Sequence, residues 1–245
     1  MNNILDIEVD VGETIRTDCP ICKGHNTFTI TNDMGKMKWN CYKASCSVKG
    51  NQKTKLSVSQ LMRKKEQEKD FTIPEYIVPH RNRGHVLDFL HRWGITNAIG
   101  GVLYDVREDR VVFPVMYDGT LVDATGRALA GWRQPKWRRY GFSPFPYQFG
   151  QGNVAVVVED CVSAVVAGSV TNFVGVALLG TNLLDTHKQI LSQFSTVLVA
   201  LDPDAITKAS SMVKDIPNSK LLNLKNDLKY QVKDDIDMMI KLGGV

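Results

Sequence analysis

The 245-residue sequence predicts a multidomain protein with an α+β part and an α/β part, because three features follow one another along the chain. The first is a set of four cysteines in two close pairs: Cys19 with Cys22, and Cys41 with Cys46. The second is a lysine-rich stretch, residues 49–72, and the third is a pair of apolar runs at 154–158 and 196–201. A small β module, a linker and a sheet with buried strands account for this order.

The composition indicates a soluble, folded protein. Hydrophobic residues make up 43% of the chain, enough for a core, and the formal net charge of +4 favours no class of partner. No apolar run reaches the length of a membrane span, and residues 1–11 alternate charged with aliphatic side chains, unlike a signal peptide. We therefore expect no membrane association and a reducing compartment.

The cysteines predict a structural zinc ribbon over residues 1–48. Their pattern is C-x2-C, an 18-residue spacer and C-x4-C, which lets four thiolates close a tetrahedral cage. Residues 27–30 and 37–40 form two short strand-like segments between the pairs, as expected for a hairpin with one pair at each end. In so small a module, zinc would supply most of the folding free energy.

One strand of the ribbon carries a candidate nucleic-acid contact. Lys36, Lys38 and Trp39 lie close together in the sequence, and a basic side chain beside an aromatic ring can bind phosphate and stack on a base. The alternative is that Trp39 packs the small core of the ribbon, and the sequence leaves both interpretations open. His25 is interpreted as a loop residue, since four thiolates already complete the cage.

Residues 49–72 predict a flexible basic linker, because strand character gives way to lysine, glutamine and serine. A short charged helix is expected over 58–69. A basic subdomain, 73–150, follows, with a helix predicted at 85–93 from the spacing of its apolar residues. Strands are predicted at 110–115 and 120–124, joined by an Asp-Gly turn.

The end of this subdomain is rich in basic and aromatic residues. Residues 127–140 contain no acid, and tryptophan and tyrosine alternate with cations. Such a surface suits nucleotide phosphates and bases. The alternative is an ordinary solvated face, but exposed tryptophans favour a binding role. The candidate binding residues are Arg127, Arg133, Lys136, Arg138 and Arg139.

Residues 151–245 predict a parallel α/β sheet. Apolar runs at 154–158, 174–178, 196–201 and 220–224 alternate with helix-forming segments, and uninterrupted runs of β-branched residues suit strands that are buried on both faces. In such a sheet, ligands bind beyond the carboxyl ends of the strands. This edge is therefore where the chemistry is expected.

Acidic residues follow two of these runs. Glu159 comes directly after the first, and Asp202 with Asp204 directly after the third. Carboxylates held close together repel unless a cation neutralises them, and their hard oxygens suit Mg²⁺ or Mn²⁺ carrying phosphate. A divalent-metal site for phosphoryl chemistry is predicted here. Asp234 is a further candidate ligand, although it and Asp235 could instead complement a helix dipole.

The order of these features resembles the bacterial and bacteriophage-type DNA primases, which join a zinc-binding domain to an RNA polymerase core containing a TOPRIM fold. The resemblance spans residues 15–240. Asp160 and Ser163 depart from it, since many members have glycine and an acid there. The matching residues are the four cysteines, Arg110 with Phe113-Pro114, Arg127, Lys136, Glu159, Asp202-Pro203-Asp204 and Lys233-Asp234.

The resemblance implies template-directed synthesis of short RNA primers on single-stranded DNA during replication. It implies that 73–150 is the N-terminal subdomain of the polymerase core and 151–245 the TOPRIM subdomain. Zinc would be structural, and Glu159, Asp202, Asp204 and Asp234 would hold catalytic Mg²⁺ or Mn²⁺. Ribonucleoside triphosphates would be the substrates. The expected location is the cytoplasm, that of the host if a bacteriophage encodes the chain.

Two further expectations concern partners and rival functions. No G-x-x-x-x-G-K-[ST] loop occurs, so a replicative helicase of the primosome would be a separate polypeptide. A TOPRIM nuclease, or a topoisomerase fragment, could use the same acids to break phosphodiesters. A non-catalytic zinc-ribbon adaptor that only binds DNA is the third alternative.

Overall fold

The computed structural model of the chain describes residues 4, 7, 9, 14–33, 36–53, 71–180 and 182–244. The chain divides into two compact units, Met1–Lys69 and Asp70–Val245. Most of the predicted linker, residues 54–70, lies outside the described residues, and so does the helix expected at 58–69. Among the helices that are described, none combines the length and the apolar character that crossing a membrane requires.

The first unit contains a four-stranded antiparallel sheet in the order β1-β2-β3-β4. Strands β2 and β3 form the predicted hairpin, and Phe28, Ile30 and Met37 pack with Cys19 and Cys41 in a small core. Strand β4 corrects the predicted boundary at residue 48, because it extends the sheet into the stretch interpreted as linker. The strands are β1 (Thr14–Thr17), β2 (Phe28–Asp33), β3 (Lys36–Cys41) and β4 (Lys49–Lys53).

The second unit begins with a five-stranded antiparallel sheet in the order β5-β6-β7-β8-β9. Its central hairpin turns at Asp118 and Gly119, where φ is 48° and 72°, as a type I′ turn requires. This confirms the predicted hairpin. The strands are β5 (Ile77–Pro79), β6 (Leu103–Asp105), β7 (Arg110–Tyr117), β8 (Thr120–Ala128) and β9 (Trp137–Arg139); helix α1 (Gly84–Arg92) and a 3-10 helix (Thr96–Gly101) lie between β5 and β6.

A second five-stranded sheet follows, in the order β10-β12-β11-β13-β14. Strands β12, β11, β13 and β14 are parallel neighbours, which confirms the predicted parallel α/β sheet. Strand β10 was not predicted; it pairs antiparallel with β12 at the edge. The strands are β10 (Tyr147–Gly150), β11 (Gly152–Val158), β12 (Asn172–Ala177), β13 (Thr196–Val199) and β14 (Ser219–Leu221).

Helices cover both faces of this sheet. Val156 on β11 packs into one core and Val157 into another, as the alternation of a strand requires. A Cβ on Gly175 of β12 would overlap the carbonyl oxygen of Ala164, so glycine is what lets helix α2 pack directly on the strand. The helices are α2 (Cys161–Gly168), α3 (Asp185–Leu191), α4 (Ile206–Asp215) and α5 (Lys233–Gly243), with 3-10 helices at Pro203–Ala205 and Leu228–Tyr230.

The two sheets of the second unit share one hydrophobic core. Phe89 of α1 and Phe113 of β7 belong to the same buried cluster as Val156 of β11 and Met239 of α5. The sequence places a subdomain boundary near residue 150, and the buried side chains continue across it. The carboxyl ends of β11 and β13 are therefore held in a fixed relation to the antiparallel sheet.

Candidate functional site

The four cysteines of the first unit converge. One sulfur of each lies within 4.8 Å of the others, and the Sγ atoms of Cys22 and Cys41 are 3.8 Å apart. Cys19 and Cys41 are buried. Four thiols at this separation fit a structural zinc ion, as the spacing predicts.

Short turns hold the sulfurs in place. The amide of Lys23 donates to the carbonyl of Cys19, and the amide of Cys46 donates to that of Lys43. Lys23 has a φ of 55°, so the chain reverses sharply after the first pair. The Thr27 hydroxyl lies 3.5 Å from Cys41 Sγ, and this hydrogen bond lowers the pKa of the Cys41 thiol. A lowered pKa favours the thiolate, which is the form that binds metal.

The candidate DNA contact on β3 is divided between two faces of its sheet. Lys36 and Lys38 are exposed, whereas Met37 is buried and Trp39 half-buried on the opposite face. Trp39 packs with the ribbon core and lies against Gly50 of β4, where a Cβ would come within 2.9 Å of its ring. Trp39 thus packs against the ribbon core, as one of the two interpretations has it, and the two lysines lie on the other face of the sheet.

The second unit has a cleft of about 390 Å³ at the carboxyl ends of β11 and β13. Glu159 follows β11, and Asp202 follows β13. One wall is acidic, and the other is basic and aromatic. The lining residues are Glu159, Asp160, Asp202, Asp227 and Lys229, with Thr125, Lys136, Trp137, Arg139, Leu179 and Gly180.

The ionised form of the acids in the cleft is disfavoured by burial and by mutual repulsion, and a bound cation would stabilise it. Burial raises the pKa of Glu159, and the nearby Asp204 raises it further. Its Oε1 atom is buried and accepts no hydrogen bond. Burial also raises the pKa of Asp202, to about 6, although Lys229 opposes the shift. An orphaned buried oxygen beside other carboxylates is what a divalent cation satisfies.

The acids are less tightly grouped than the sequence predicts. Among the described residues, the cysteines form the only set of three or more candidate ligands whose atoms all lie within 4.8 Å of one another. A lysine, rather than empty space, lies among the carboxylates. The Nζ atom of Lys229 is 2.5 Å from Asp227, 3.2 Å from Asp160 and 3.7 Å from Asp202.

Asp234 does not line the cleft, contrary to prediction. It lies in the first turn of α5, two-thirds exposed, and pairs with Lys225 at 2.5 Å. The neighbouring Asp235 is buried and accepts the amides of Lys225 and Asn226. It thereby fixes the loop that carries Asp227. Asp227 is thus the acid of this region that reaches the cleft.

The basic wall contains only part of the predicted set. Lys136 and Arg139 line the cleft, and the guanidinium of Arg127 lies 5.3 Å from the ring of Trp137. Arg139 also pairs with the buried Asp123. Burial lowers the pKa of Arg127.

Arg138 and Arg133 are engaged outside the cleft. Arg138 pairs with Glu108, which also binds the buried Arg110 at 2.7 Å. Arg133 lies 5.2 Å from the ring of Trp132, whose side chain is exposed. Neither of these two predicted nucleotide contacts is therefore among the residues that line the cleft.

Three charged cleft residues are absent from the sequence-based set. Asp160 follows Glu159 and caps α2, accepting the amide of Ser163. Asp227 and Lys229 come six and eight residues after β14 ends, at and within a 3-10 helix. Their position after the last parallel strand is a signal that could have found Asp227. No sequence pattern indicates that a lysine lies among acids.

Comparisons with known proteins give structural likenesses of one class, DNA primases. No family model matches the chain, and no curated protein does. The chain is similar to the catalytic core of the primase DnaG, with 21% identity over 62% of each chain and a TM-score of 0.45. It therefore spans about three-fifths of that structure.

Two further solved structures are similar. The zinc-binding and RNA polymerase domains of the Aquifex aeolicus primase match with 17% identity and a TM-score of 0.45, over 97% of this chain and 80% of that one. The RNA polymerase domain of the Mycobacterium tuberculosis primase DnaG matches with 18% identity and a TM-score of 0.44, over 65% of each chain.

Proposed function

We propose that the chain is a DNA primase, a nucleotidyltransferase that synthesises short RNA primers on single-stranded DNA. The observation that carries the proposal is the two-sided cleft of the second unit. Glu159, Asp160, Asp202 and Asp227 form its acidic wall, and Lys136, Arg139 and Trp137 form the facing one. Nucleotidyl transfer needs a cation site beside groups that bind triphosphate and base, and both walls are present.

The acidic wall is proposed to hold Mg²⁺ or Mn²⁺ in a TOPRIM-type site. Glu159, Asp202 and Asp204 would be the ligands, and Asp227 would hold the ammonium of Lys229 beside them. When bound, the ion neutralises charge on the triphosphate and lowers the pKa of the attacking 3′-hydroxyl. The unpaired buried Oε1 of Glu159 supports this assignment.

The basic wall is proposed to position the incoming nucleotide. Lys136 is exposed and free to point its ammonium at phosphate, and Arg127 lies over the Trp137 ring. Arg139 is held by Asp123 and by the carbonyl of Ser143 at 2.7 Å, so its direction is fixed. A fixed guanidinium loses little conformational entropy on binding phosphate.

The zinc ribbon is proposed to bind single-stranded DNA. Its accessible aromatic is Tyr42, which is exposed and has the Arg16 guanidinium 5.7 Å from its ring. An arginine beside an open aromatic ring can bind phosphate and stack on a base. Trp39, the aromatic candidate from the sequence, packs against the ribbon core. A replicative helicase is a further proposed partner.

The test is incubation of the protein with circular single-stranded DNA, labelled ribonucleotides and Mg²⁺. We expect labelled oligoribonucleotides from the wild type and none from Asp202→Asn, since that change removes a central carboxylate. Shortened DNA instead would indicate the nuclease. DNA binding without either product, in the wild type, would leave the adaptor as the function.

A further inference from the structure

The Lys229 side chain is the most unusual component of the cleft. It is 5% exposed, and its ammonium contacts the carboxylates of Asp227, Asp160 and Asp202 at 2.5, 3.2 and 3.7 Å. An ammonium has three donors and no acceptor; Asp227 and Asp160 lie within hydrogen-bond distance of it, and Asp202, at 3.7 Å, forms an ion pair with it. Three carboxylates therefore surround one buried ammonium, which gives this part of the cleft a cation of its own.

The backbone that carries Lys229 is anchored on both sides. Leu228 is buried in the shared core, and the Tyr230 ring lies 5.6 Å from that of Trp93. Gln231 donates through Nε2 to the carbonyl oxygen of Trp93 at 2.7 Å. The neighbouring Gly94 leaves room for this amide, since a Cβ there would lie 2.6 Å from it. Lys229 is thus built into the site and is not a surface lysine that happens to fold inward.

The lysine divides the acids into two groups. Asp160, Asp202 and Asp227 are paired with it. Glu159 keeps a buried oxygen without a partner, and Asp204 is close enough to raise the pKa of Glu159. Lys208 acts on Glu159 in the opposite direction, but burial and Asp204 outweigh it and the pKa of Glu159 stays raised. The unmet demand for positive charge is therefore on the side of Glu159 and Asp204. On the side of Asp227, a cation is already present.

We propose that the Lys229 ammonium takes the place of one of two metal ions, so that the cleft binds a single divalent cation on the side of Glu159 and Asp204. The inference deepens the proposed function and rests on its metal site. A second divalent ion beside Asp227 would have to displace a buried ammonium from three carboxylates. Binding of that second ion would break the ion pairs of Lys229 and leave its buried ammonium without counterions, which is energetically costly.

The experiment is a titration of the zinc-loaded full chain with Mn²⁺, followed by electron paramagnetic resonance, which counts bound ions and detects magnetic coupling between ions a few ångströms apart. We expect one uncoupled Mn²⁺ per wild-type chain. Lys229→Met keeps the length of the side chain and removes its charge, so it should bind two ions with a coupled signal. Lys229→Arg keeps a cation and should bind one.

Each outcome has a distinct meaning. Two ions in the wild type would overturn the inference, and so would one ion in Lys229→Met with native circular dichroism and zinc content. If Lys229→Met does not fold, the wild type and Lys229→Arg still test the inference. Two bound ions in either protein would contradict the claim that a cation at position 229 excludes the second metal ion. No Mn²⁺ bound above the level of Glu159→Gln would instead refute the proposed metal site itself.

Discussion

The zinc ribbon and the acidic cleft assemble their charged groups in opposite ways. The ribbon takes four thiols from two short turns, and a spacer of 18 residues separates the two cysteine pairs. The cleft takes its acids from the ends of β11 and β13 and from the loop after β14, spread over residues 159–227. The cysteines of the ribbon are therefore close because of their spacing in the sequence, whereas the acids of the cleft are close only because the sheet brings strand ends together.

The largest effect should come from the ribbon. Cys46→Ser removes one of four thiolates, and structural zinc contributes on the order of 10–16 kcal/mol to folding in such modules. We expect loss of stoichiometric zinc and of the thermal transition of the first unit, with the second unit unchanged. Atomic emission and calorimetry measure the two quantities.

The control for this change is Cys161→Ala, which alters a buried cysteine of the second unit. Its zinc content should equal that of the wild type. Retention of one zinc in Cys46→Ser would contradict the four-thiolate site.

The cleft should show a smaller effect that separates two acids. Asp227→Asn removes a carboxylate that lines the cleft and holds Lys229, so primer synthesis should fall about 10- to 100-fold, as when a partner of a metal site is lost. Asp234→Asn is the matched control, because Asp234 pairs only with Lys225 among the interactions described for it. Its rate of primer synthesis should stay within about 3-fold of the wild type. Equal losses in both variants would restore Asp234 to the site.

The smallest effect concerns pH. Because burial raises the pKa of Asp202 to about 6, the folded protein binds this proton more tightly than the unfolded chain does. The folded protein therefore loses stability as pH rises from about 4 through 6, by about 1 kcal/mol after allowance for solvent. Because asparagine does not ionise, Asp202→Asn should not lose this stability as the pH rises.

Thermal melting without added Mg²⁺ or Mn²⁺ measures the difference. At pH 8 the variant should melt about 2–4 °C above the wild type, and at pH 4.5 the two should coincide. An equal difference at both pH values would show that ionisation of Asp202 is not its cause.

The sequence predicts the parts of each region that are local. Cysteine spacing reveals the ribbon ligands, and apolar runs place Glu159 and Asp202 at strand ends. Strand β4 escapes prediction because it is mostly exposed and carries no alternation of apolar residues. Lys229 escapes because a lysine among acids is set by tertiary packing.

The basic residues show the same limit. Arg138 and Arg139 follow one another in the sequence, yet β9 turns one toward Glu108 and the other toward Asp123. Which of them reaches the cleft depends on strand register and on acids that lie at least 16 residues away along the chain. The composition of the sequence therefore predicts a basic surface, but strand register and ion pairing decide which of its residues line the cleft.

The continuous core of the second unit has a consequence for anyone who dissects the chain. Phe113 and Val156 lie on opposite sides of residue 150 but in one buried cluster. Cutting the chain at residue 150 would expose apolar side chains of both pieces to water. Neither piece would then bury enough apolar surface to offset the loss of chain entropy on folding. The smallest fragment that would keep the cleft intact therefore begins near Phe71, ahead of the antiparallel sheet.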